Sequence, residues 1–164
     1  MLRSGVAALV TLAALACDGG LQPQDGCPAG ICGTVTIRGM PPAETDGVFI
    51  LAYQTFPQTC NDIPSFLPFP NPPRVSLTDT IASYTLAVPD GQYAWIVAAW
   101  KRVGTLTLTP ADTALLREAG YYRDPANPLQ PGAVMASGGV EHIDFVVDLN
   151  NLHPITDYLT CAVR

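Results

Sequence analysis

Positive charge is scarce in this chain: 8 Lys and Arg stand against 14 Asp and Glu among 164 residues, a formal net charge of −6. Lys101-Arg102 is the only adjacent basic pair. Without a basic stripe nothing neutralises phosphates, which excludes nucleic acid as a partner. Histidine is scarcer still, with His142 and His153 alone, so few side chains change charge near neutral pH. No serine stands in a G-x-S-x-G elbow, and H-E-x-x-H, G-x-x-x-x-G-K and G-x-G-x-x-G are all missing. No residue is left to nominate as catalytic, no cofactor is called for, and the expectation is a protein that is not an enzyme. The apolar run at residues 6–16 is also shorter than the about 20 residues that a membrane-crossing helix needs.

That short run belongs instead to an address. Residues 1–4 carry one positive side chain, Arg3, the apolar run follows, and Ala14-Leu15-Ala16 supplies small residues for cleavage just before Cys17. The stretch resembles the lipobox of bacterial lipoproteins. The resemblance implies that residues 1–16 are a signal peptide and that Cys17 is the lipidation site. The mature protein is then anchored by lipid to a membrane of the bacterial cell envelope, periplasmic or surface-exposed. Ala-Leu-Ala equally suits an ordinary signal peptidase, which leaves Cys17 a free thiol. The chain has five cysteines, Cys17, Cys27, Cys32, Cys60 and Cys161. An odd thiol in an exported protein is a reactive liability, and lipidating Cys17 leaves an even four. Each buried methylene of the lipid adds about 0.8 kcal/mol of membrane affinity.

The remaining four cysteines have a spacing that zinc accepts, but an oxidising envelope turns an even set into disulfides. Of the three connectivities, Cys27 with Cys32 and Cys60 with Cys161 is expected, and Cys32 with Cys161 is the runner-up. If consecutive strands run up and down, the loop holding Cys60 starts where the first strand enters, and the C-terminal tail is long enough to return there. No metal site is expected.

Residues 17–26 are rich in Gly, Asp and Gln with no apolar period, which reads as a flexible tether. Residues 27–164 are the size of one domain. Alternation of Val35 and Ile37 with threonines marks a half-buried strand at 33–38, and the β-branched and aromatic run at 48–54 suits a strand covered on both faces. Residues 56–73 hold six prolines and three phenylalanines, so they form a long stiff loop outside the sheet. A short edge strand follows at 74–77. Segments 80–88 and 92–100, separated by Pro89-Asp90-Gly91, read as a hairpin with the second arm central. Thr109-Pro110-Ala111-Asp112 starts a short helix that Gly120 stops. Segments 132–137 and 141–149 read as a last hairpin across Gly138-Gly139. There Ile143, Phe145, Val147 and Leu149 face inward and His142, Asp144 and Asp148 outward. The tail from residue 150 packs back through Leu152, Ile155, Tyr158 and Leu159.

The fold class is therefore all-β, an Ig-like or prealbumin-like antiparallel β-sandwich of six to eight strands with one short helix. GTVTIRG, VFILAY and SYTLAVPDGQYAWIVAAW, in that order, resemble the carboxypeptidase regulatory-like domains of exported bacterial proteins. The resemblance covers roughly residues 32–100 and the IDFVVDL strand. It implies that Tyr93, two residues after the turn glycine Gly91, is a core tyrosine. The Pro-rich loop, the helix and the cysteine tail depart from the family pattern.

Candidate binding residues are Phe56, Phe66 and Phe69, which a stiff loop presents at small entropic cost, and Trp100, near a strand end beside Lys101 and Arg102. The competing reading lays the phenylalanines over an open sheet end, where burying each ring is worth about 1.5 to 3 kcal/mol. His142 and Asp144, two apart on a strand, share a face with Glu141 or His153 near, an arrangement for a metal whose competitor is a plain solvated face. The expected function is a non-catalytic, lipid-anchored envelope protein whose β-sandwich binds an envelope protein or supports an assembly. Alternatives are a carbohydrate-binding module using the loop aromatics and a small metal-dependent hydrolase.

Overall fold

The computed structural model describes residues 26–107 and 109–161, so the expectations for residues 1–16, Cys17 and most of the tether lie outside it. The described residues form an all-β structure. Its strands are β1 (Ile31–Arg38), β2 (Thr45–Tyr53), β3 (Ile81–Leu86), β4 (Gly91–Tyr93), β5 (Trp95–Arg102), β6 (Leu116–Tyr121), β7 (Val134–Ala136), β8 (Phe145–Asp148) and β9 (His153–Pro154). They make sheets of order β3-β1-β8, β2-β5-β6-β9 and β4-β7. β8 runs parallel to β1, and the other strand pairs are antiparallel.

Two burial patterns explain the layering. In β3 every second residue points inward, Ala82, Tyr84 and Leu86, while Ile81, Ser83 and Thr85 face solvent. That is the signature of a sheet covered on one face. β2 from Val48 to Tyr53 and β5 from Trp95 to Trp100 are apolar on both faces. Val48, Ile50, Ile96, Ala98 and Trp100 enter the core shared with β1, β3 and β8. Leu51, Tyr53, Trp95, Val97 and Ala99 face the other way, into a second core. Among the described residues no further sheet closes that second face. The Pro-rich loop covers it with Phe56, Ile63 and Phe66, and the C-terminal tail with Ile155, Tyr158 and Leu159.

Cys27 bonds to Cys32 and Cys60 to Cys161, as expected, with Cα separations of 5.6 and 5.2 Å. The second bond fastens the loop to the tail, and beside it Thr160 N–H donates to the Gln58 carbonyl at 2.8 Å. Cys60 opens the short 3-10 helix Cys60–Ser65, and Cys161 follows the 3-10 helix Ile155–Asp157.

Four expectations are corrected. Segments 80–88 and 92–100 are not a hairpin. β3 pairs with β1, β5 pairs with β2 and β6, and Gly91 begins β4, which pairs with β7. A one-sided strand and a two-sided strand have different burial needs, and the chain crosses between sheets to satisfy both. The last hairpin fails in the same way, since β7 joins β4 and β8 joins β1. The inward set Ile143, Phe145, Val147 and Leu149 is nevertheless buried.

The helix starting near Thr109 is only the 3-10 helix Pro110–Leu115, although its capping is real: Thr109 N–H donates to Asp112 Oδ2 at 3.1 Å. Beyond it, Leu116–Tyr121 is strand β6 rather than helix. The helix-favouring Leu, Arg, Glu and Ala yield there to the open edge of β5, because tertiary pairing outweighs propensity. Gly120 stops no helix. Its φ is +150°, and a Cβ there would lie 1.9 Å from the Val146 carbonyl oxygen. The glycine lets β6 press against β8. The expected edge strand at 74–77 shrinks to a brief contact along β2, where Ile50 N–H donates to the Pro73 carbonyl and Val75 N–H to the Val48 carbonyl.

Candidate functional site

The layer over the second core leaves an apolar groove of about 340 Å³. Phe49 and Leu51 of β2 and Val97 and Ala99 of β5 form its floor, Phe66, Phe69, Pro70 and Pro72 one wall, and Leu106 and Leu116 the other. The proline wall is tied to β2 by a reciprocal backbone pair, Ala52 N–H to the Leu67 carbonyl at 2.9 Å and Leu67 N–H to the Ala52 carbonyl at 2.8 Å. The turn before it is capped by Asp62, whose carboxylate accepts from the backbone N–H groups of Thr59 and Gln58 at 2.8 and 3.0 Å. Those bonds, the Thr59 backbone first, pull the Asp62 carboxyl below its ordinary value. The opposite wall uses the same device. Asp112, buried at the groove, accepts from the N–H groups of Thr107 and Thr109 at 2.8 and 3.1 Å. At the rim Lys101 Nζ donates to Asp46 Oδ2 at 2.5 Å and to the Gly104 carbonyl at 2.6 Å. The bond from Lys101 lowers the Asp46 carboxyl.

The four aromatic candidates are thus separated. Phe66 and Phe69 meet edge to face at 5.5 Å on the groove wall, with Phe69 half exposed. Phe56 packs on Trp95, their ring centroids 4.9 Å apart, and closes the second core. Trp100 is buried between the sheets, where its Nε1–H donates to Thr45 Oγ1 at 2.8 Å. It offers no ring face to a ligand.

The histidine grouping is also divided. Residues 141–144 precede β8 and are not strand. His142 adopts a φ of 61° and points outward, with Glu141 Oε2 3.8 Å from its Nε2. Asp144 turns back to β1, its Oδ1 accepting from the Thr34 N–H and hydroxyl at 2.6 and 2.9 Å. Among the described residues no three or more His, Cys, Asp and Glu are placed to hold a metal.

His153 belongs to a different place. It stands opposite Glu118 in the β6–β9 register, beside a polar cleft of about 610 Å³ on the side where β6 meets β8. Glu118 is only 3% exposed and accepts from the Tyr158 hydroxyl at 2.7 Å. Burial raises its carboxyl above the ordinary range, against the opposing pull of Tyr158, His153 and Arg123. Burial and the Glu118 neighbour likewise raise the Tyr158 hydroxyl. Arg38, Arg123, Asp144, Asp148 and Asn151 stand in its walls beside Tyr121 and Phe145. Sequence reading missed Glu118 because a helix over 109–120 puts it on a solvated turn. The signal that could have found it is Tyr121-Tyr122, a strand-favouring pair directly after Gly120.

No family model, no curated protein and no solved structure matches this chain.

Proposed function

We propose that this chain is a non-catalytic binding module, held by lipid on Cys17 at a bacterial cell-envelope membrane, and that the apolar groove is its ligand site. The observation that carries the reading is the groove itself: largely carbon-lined space left open between a proline-rich wall paired to β2 through Leu67 and a facing loop capped by the buried Asp112. The occupant is an uncharged apolar small molecule or side chain. Lys101 and Asp46 neutralise each other at the rim, and Asp112 is engaged by Thr107 and Thr109, so no group remains to compensate a charged ligand. The carbohydrate reading of the same loop is less favoured, because Phe56 is committed to Trp95 and Phe69 alone of the loop's three rings is exposed.

What supports the anchor is cysteine bookkeeping, since the two disulfides occupy four of five cysteines and leave Cys17 over. What supports the prealbumin-like reading is Tyr93, fully buried two residues after Gly91, its hydroxyl donating to the Pro89 carbonyl at 2.8 Å.

The uncharged fluorophore N-phenyl-1-naphthylamine tests the groove. Saturable enhancement is expected with the wild type, weakened at least tenfold in Ala99→Phe, which fills the floor, and in Phe69→Ser, which alters only the exposed rim. Equal binding by all three proteins rejects the site. Cys17→Ser should move the protein from the membrane to the soluble fraction, and a wild type that takes up no radiolabelled fatty acid rejects the anchor.

A further inference from the structure

The polar cleft between β6 and β8 has none of the groove's chemistry. Its walls carry Arg38 and Arg123 together with Asp144 and Asp148, so neither sign of charge prevails. An anion entering it meets two carboxylates. A cation meets two guanidiniums and an imidazole. Carbon surface is the smaller share of the walls, supplied by Ala119, Tyr121, Phe145 and Val146 among ionic and amide side chains, too little to hold a wholly apolar ligand. What remains is a neutral ligand whose groups each donate and accept, and hydroxyls are that chemistry. Arg, Asp and Asn present planar forks that engage neighbouring hydroxyls in pairs.

The cleft is also built on fixed elements. Gly120 seats β6 on the Val146 carbonyl, β9 pairs Glu118 with His153, and the Tyr158 hydroxyl holds the buried Glu118 carboxyl. Asp148 Oδ1 accepts from Asn150 N–H at 3.0 Å, shaping the turn that carries Asn151. Pre-set polar groups lose little freedom when a ligand arrives.

We propose that this cleft is a second binding site, which takes a short neutral saccharide on Arg38, Arg123, Asp148, Asn151 and His153, with Glu118 and Tyr158 beneath. It is independent of the apolar groove and of what occupies that groove.

Amide-resolved NMR titration of the disulfide-intact domain with maltotriose, cellotriose and chitotriose tests it, with sodium acetate and lysine as charged controls. At least one trisaccharide should shift resonances of β6, β8 and residues 150–153, saturably and without moving those of residues 66–72. Arg38→Ala and Asn151→Ala, both at exposed positions, should each weaken that binding about tenfold with an unchanged melting temperature. Three silent trisaccharides overturn the proposal, as does stronger binding of acetate or lysine, or a trisaccharide response confined to the groove.

Discussion

Two residues show how far single side chains decide this molecule. Gly120 sits at a φ of +150° with a carbonyl oxygen where its Cβ would be. Gly120→Ala should therefore cost about 2 to 4 kcal/mol, partly backbone strain and partly displacement of β8. Urea denaturation checks this; a midpoint equal to wild type would mean that the two strands do not press together there. Glu118 is the opposite case, a side chain held where its charge is unwelcome. Burial raises its carboxyl above the ordinary 4.5, so the folded chain keeps a proton that the unfolded chain releases. Unfolding then liberates a proton, and stability falls as pH rises from about 4.5 to the raised titration point. The groups facing it are Tyr158 from the tail, His153 from β9 and Arg123 beyond β6, and the desolvation outweighs them. Glu118→Gln should remove this fall. Asp46 and Asp62, whose carboxyls are lowered, gain stability as pH rises through the carboxylate range in both proteins alike. The difference between the two stability curves therefore isolates Glu118, and identical curves would refute its buried titration.

At the scale of elements, the layer over the second core is the part of the fold with least regular structure. It consists of a proline-rich loop, two short 3-10 helices and a two-residue strand, so few backbone bonds tie it to the sheet. The Cys60–Cys161 bond closes a span of 101 residues and contributes about 2 to 5 kcal/mol by restricting the unfolded chain. With Cys60→Ala/Cys161→Ala, hydrogen exchange should accelerate first in residues 56–73 and 150–161, while β1 and β3 stay protected. Naphthylamine binding should fall with it, because Ile63, Phe66 and Ile155 all line the groove. Uniform acceleration across all three sheets would show that the layer is no separate unit. The strands themselves were largely legible in the chain, because period-two alternation and unbroken β-branched runs report how many faces are buried. Leu116–Tyr121 was not, since its composition favours helix and only its neighbours make it a strand.

For the whole molecule, the sequence alone determined the all-β class, the two-sided character of β2 and β5, the irregular path of the proline-rich segment, and the use of four cysteines in disulfides. Each of these follows from local chemistry: side-chain alternation, a missing backbone N–H, an even set of thiols. Strand partnership did not follow. Asp90-Gly91 and Gly138-Gly139 both look like hairpin turns, yet in each case the flanking strands go to different sheets. Alternation records which face of a strand is buried and says nothing about which edge it meets. The sites were decided at the same level. Phe66 and Phe69 could be singled out from composition, but the space beside them exists only because two capped loops stand apart on a sheet face. Glu118, His153, Arg38 and Asp148 are remote in the chain and meet only where β6 pairs with β9 and leans on β8. Tertiary structure brought them together because the free edge of β5 required a partner, and the segment that supplied it carried Glu118 into the protein.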